Sequence, residues 1–146
     1  MSLFILHPLP AGEVDTDAPL TRHRIAGDRE PCRRCLRDAS PGDRLALTPY
    51  DPFTVRSPYT GAGPVFVHAD GCEPFASAPG AVSEQVSGRV LSIRAYDRDA
   101  MLTEASVLDG ERFRERATEL LGDPEVEFLH VHFAGPGCFA FRVDRA

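Results

Sequence analysis

The chain has 146 residues, a length that suits one ordinary domain burying roughly two thirds of its unfolded surface. Apolar residues at 42% and charged ones at 26% fit a packed globular chain and exclude wholesale disorder, and no apolar run approaches bilayer length. A net charge of −6 offers no global field for nucleic acid or an anionic membrane, and because all 16 basic residues are arginine, Schiff-base and Walker-lysine chemistry are excluded as well.

Leu3-Phe4-Ile5-Leu6 is a short apolar run ended by His7-Pro8, and it predicts a first strand buried on both faces. With no basic flank and so short an apolar stretch, this start does not read as a secretory signal, so a cytoplasmic location and reduced thiols are expected. Residues 1–30 read as an irregular N-terminal segment, punctuated by Pro10, Gly12, Pro19 and Gly27, with at most a helical turn near Gly12 to Asp15. One domain over 1–146 is expected, with 31–146 as its core. Between Arg22 and Asp38 six arginines face three acids, which marks either a loop that pairs with the acidic surface or an anion-binding rim.

Pro31-Cys32-Arg33-Arg34-Cys35-Leu36 carries the sharpest chemistry: two thiols at the spacing that grips one ion. Ser40-Pro41-Gly42-Asp43 predicts a turn, and Arg44 to Tyr50 alternates as a half-buried strand that Pro49, Pro52 and Pro58 confine to an edge or bulge. Val65 to His68 is the next strand, and Asp70 to Gly88 is loop. Arg89 to Tyr96 puts Leu91, Ile93 and Ala95 on one face, with Met101 to Leu108 as its hairpin partner. Asp109 is placed to cap a helix from Gly110 to Leu121 with Phe113, Ala117, Leu120 and Leu121 on its apolar stripe, ended by Gly122 and Pro124. Glu125 to Phe133 and Cys138 to Val143 close the chain as a central ribbon; a plain hairpin between them places His130 and His132 on one face with Phe139, Phe141 and Val143.

The sum is an α+β fold: a mainly antiparallel, curved sheet of six or more short strands, one main helix and long loops. Pro31-Cys32-Arg33 with Leu36, the Pro41-Gly42 turn, Val90 to Asp97 and the ending from Leu129-His130-Val131-His132 through Gly137-Cys138-Phe139 to Ala146 together resemble a bacterial family of unknown function, DUF1203. That resemblance runs from about Pro31 to the C-terminus and implies no established activity, substrate or catalytic residue. It also implies that the second cysteine, Cys35, and Cys72 are not shared by every member, so a site built on them would be particular to this branch.

Three constellations carry chemistry. Cys32 and Cys35 can bind zinc if His68 and Cys72 join them, with Cys138 as another possible fourth ligand. Arg33 and Arg34 can instead bind a small anion, or lower the Cys32 thiol's pKa for redox or nucleophilic catalysis with Cys35 as its partner. His130 and His132 can ligate a metal if His68 meets them, or sit in the core bonded to a carbonyl. The leading expectation is a domain that binds a metal ion or small anionic ligand near the Cys32/Cys35 loop. Its alternatives are a cysteine-dependent enzyme and a structural or protein-interaction module without metal. Neither enzymatic activity nor oligomeric state is fixed by the sequence, and a homo-oligomer is compatible with it.

Overall fold

The computed structural model describes residues 3–10 and 12–146. The architecture is α+β, with eight strands in two antiparallel sheets and one α-helix among the described residues. The strands are β1 (Phe4–His7), β2 (Arg22–Ile25), β3 (Arg44–Tyr50), β4 (Gly63–His68), β5 (Val90–Tyr96), β6 (Leu102–Asp109), β7 (Phe128–Phe133) and β8 (Phe139–Arg145); the helix α1 spans Phe113–Leu121. One sheet runs β1-β8-β7-β5-β6 and the other β2-β3-β4.

The larger sheet is organised by side-chain alternation. Leu91, Ile93 and Ala95 of β5 line up with Phe133, Val131 and Leu129 of β7, and these face α1, whose Phe113, Ala117, Leu120 and Leu121 complete the main core. Gly110 lets the chain enter the helix, because a Cβ there would lie 1.7 Å from the Val86 carbonyl oxygen. The opposite face carries Tyr96, Phe128, His130 and Phe139 and is covered by Phe53 and by the smaller sheet. A second apolar cluster there joins Leu9, Ala46, Val65, Val67 and Phe139 to Cys32 and Cys35.

Several sequence expectations are corrected. β1 is an edge strand paired with β8, and its residues alternate between buried and half-buried because only the face carrying Phe4 and Leu6 meets the main core. β2 lies inside the segment expected to be irregular; all four of its residues are exposed, so no apolar alternation announces it. β3 is central in its sheet, not at an edge. It tolerates Pro49 because β2 reaches only as far as Leu47, leaving Pro49 opposite Pro64 of β4 alone. The predicted helix begins as a 3-10 turn, Gly110–Arg112, and Asp109 makes no side-chain cap. Finally, β7 and β8 are not in plain register: a bulge sets His132 opposite Phe139 but Val131 opposite Phe141. The extra residue turns Phe141 and Val143 to the helix side, away from His130.

Candidate metal centre

The cysteine loop folds as a tight knuckle. Pro31 bridges Asp38 across its base, the Cys32 N–H donates to Arg37 O at 3.1 Å, and Leu36 N–H donates back to Cys32 O at 3.1 Å. Leu36 takes a positive φ of 55° to close the turn, its side chain fully buried. Cys32 and Arg33 lie alongside β4, with Arg33 N–H donating to Phe66 O at 2.9 Å, and Gln85 donates to Cys32 O at 3.2 Å.

β4 ends at His68, and the chain reverses through Gly71, whose φ of +88° suits glycine, to bring Cys72 back over the knuckle. The ligand atoms of Cys32, Cys35, His68 and Cys72 all lie within 4.8 Å of one another, so a point within about 3 Å of all four exists. Cys32 and Cys72 sulfurs are 3.7 Å apart, too far for a disulfide and close to the edge of about 3.8 Å that two thiolates span on a tetrahedral zinc. The His68 Nδ1 is 3.8 Å from Cys35 Sγ.

His68 is aimed by a residue the sequence reading did not single out. Its Nε2 lies 2.9 Å from Asp43 Oδ2, and Asp43 is itself held by the backbone N–H of Ser40 at 2.9 Å. A carboxylate on Nε2–H fixes the tautomer and leaves the Nδ1 lone pair toward the sulfurs. Only the Pro41-Gly42 turn hinted at Asp43, as a turn-terminal carboxylate.

The electrostatics fit a cation between these groups. Hydrogen bonding from Cys35, then from backbone N–H groups, pulls the Cys32 thiol well below its ordinary range despite burial. The hydrogen bond to Cys32, then burial and the Cys32 charge, push Cys35 up, and burial followed by the Cys32 charge raises Cys72. His68 is raised: burial opposes its charging, but the bonds to Asp43 and Cys32 outweigh it. One thiolate is favoured and its neighbours are resisted, because like charges this close repel.

The other candidates separate from this cluster. Cys138 Sγ instead accepts a hydrogen bond from Arg33 Nη2 at 2.9 Å. Arg33 is 1% exposed and Arg34 half-buried, the Arg34 Nε making no hydrogen bond among the described residues. His130 does not meet His68. Its ring is enclosed by Phe53, Tyr96, Phe128 and Phe139 at 4.7 to 5.3 Å, and neither nitrogen has a hydrogen-bond partner among the described residues. His132 Nδ1 lies 3.0 Å from Gly137 O, the carbonyl contact expected of a core histidine.

Fold and site together define an α+β domain with a Cys3His cluster, able to hold a metal such as zinc, where a cysteine knuckle meets the smaller sheet. A family model described as protein of unknown function (DUF1203) matches residues 29–145, and the chain belongs to that family. No curated protein and no solved structure matches it. All four cluster residues fall inside the matched span.

Proposed function

We propose that this domain is a zinc-binding module in which Cys32, Cys35, His68 and Cys72 form a closed, structural Cys3His site. The observation that carries the reading is the Asp43–His68 contact: an oriented imidazole whose free nitrogen faces three sulfurs. Four protein ligands leave no open coordination position for a substrate, which favours a structural over a catalytic ion. Soft thiolates with one imidazole favour zinc over magnesium or calcium. Such a site needs reduced thiols and so suits a reducing, cytoplasmic-type compartment.

The cysteine-dependent enzyme gains less support. Cys32 is fully buried, and a nucleophile must be reached by its substrate. Metal analysis of protein purified without chelator tests the reading. One zinc per chain is expected, with substantial loss in Cys72→Ser; stoichiometric zinc surviving in both Cys32→Ser and Cys72→Ser would remove the site from these residues.

A further inference from the structure

A cavity of about 320 Å³ opens between the cysteine loop, β4 and the β7–β8 connection, lined in part by Arg29, Arg33, Arg89, Phe66, Phe133 and Cys138. We propose that it binds a small organic anion, a carboxylate on a flat apolar body, seated on Arg33 and Arg89.

Three guanidiniums reach this cavity, and among the described residues a single carboxylate answers them. Asp38 takes Arg89 at 2.8 Å and Arg29 at 3.7 Å. Arg33 has no salt bridge among the described residues. Its hydrogen bonds run to Phe139 O at 2.8 Å, Pro31 O at 2.6 Å and Cys138 Sγ at 2.9 Å, which use three of a guanidinium's five N–H donors. An always-charged group that is 1% exposed and has no carboxylate partner among the described residues carries a desolvation cost that a counter-ion in the adjoining cavity would offset. The structural account, that Arg33 ties the knuckle to β8, explains its bonds but not the surplus charge around an open volume.

The walls set the chemical class. The Phe133 ring lies 5.0 Å from the Arg33 guanidinium carbon and 5.1 Å from that of Arg89, so cation and apolar surface alternate. Phe66 adds a second aromatic ring to the lining. Guanidinium forks match carboxylates, and the volume sits at the small end of ligand sites. Cys138 stands beside Arg33 and can report on occupancy.

Benzoate is the probe, with benzamide as its neutral counterpart, both titrated into the zinc-replete full chain by calorimetry. Zinc content reports on the metal reading separately. Saturable benzoate binding is expected, about tenfold or more tighter than benzamide and weakened by a similar factor in Arg89→Gln, the scale of one charge-assisted hydrogen bond. Bound benzoate should also slow alkylation of Cys138 by iodoacetamide, read on its peptide by mass, which supplies a readout should the arginine variant fold poorly. Equal binding of benzoate and benzamide, no benzoate binding, or unprotected Cys138 would overturn the proposal. So would a Cys138→Ser chain that binds benzoate more tightly, because the thiolate would then be the counter-charge of Arg33.

Discussion

At the scale of single residues the cluster depends on orientation as much as on ligand count. Asp43 touches no sulfur, yet it fixes the His68 ring, so Asp43→Asn should weaken zinc binding about 10- to 100-fold in competition with a chromogenic chelator, without abolishing it. His130 is the other residue whose setting decides its chemistry. Burial, then the nearby charges of His132, Arg142 and Arg94, lower its pKa from 6.5 to about 3, and burial lowers that of His132 to about 4. A histidine that binds its proton less readily when folded favours the unfolded state as pH falls below 6.5, and its effect is complete only near pH 3. His130→Phe should therefore remove about 2 kcal/mol of the stability lost between pH 6.5 and 5, measured by urea unfolding across that range. An unchanged slope would mean that His130 is hydrated. The four cluster residues were legible from spacing because thiols and imidazoles are rare and chemically specific. Asp43, Arg89 and the Arg33–Cys138 contact were not, since nothing in 22 acids or 16 arginines marks the one that folding brings into reach.

At the scale of elements, legibility followed apolar periodicity. β5, the buried stripe of α1 and the existence of β7 and β8 could be read because alternate or helical positions face a core, whereas β6, mostly exposed, was read as the hairpin partner of β5. β2 could not, since its residues are all exposed and pairing with β3 alone defines it. The bulge between β7 and β8 was equally silent. One extra residue shifted the face of Phe141 and Val143, and no turn signal inside the strand announced it. The same dependence on backbone fit governs the entry to α1. Gly110→Ala places a methyl carbon against the Val86 carbonyl, and a loss of about 1–3 kcal/mol is expected from denaturant unfolding, with the far-ultraviolet spectrum unchanged. A neutral substitution would show that the Glu84–Val86 turn moves aside freely.

Across the whole molecule, the knuckle is where the two sheets are joined. Cys32 lies alongside β4, Arg33 binds the carbonyl of Phe139 in β8, and Cys35 packs in the cluster that Phe139 shares with β3 and β4. An ion bound there stabilises this junction by mass action, by about 2.7 kcal/mol when free zinc is a hundredfold above its dissociation constant. Chelator should accordingly lower the Tm of the intact chain and leave that of a Cys32→Ser, Cys72→Ser double variant unmoved; equal shifts in both would place the stabilising ion elsewhere. The most direct measurement is zinc K-edge X-ray absorption on protein purified without chelator. The account predicts three sulfur neighbours at about 2.3 Å and one nitrogen at about 2.0 Å; a shell of oxygen and nitrogen alone, or a chain without zinc, would contradict it.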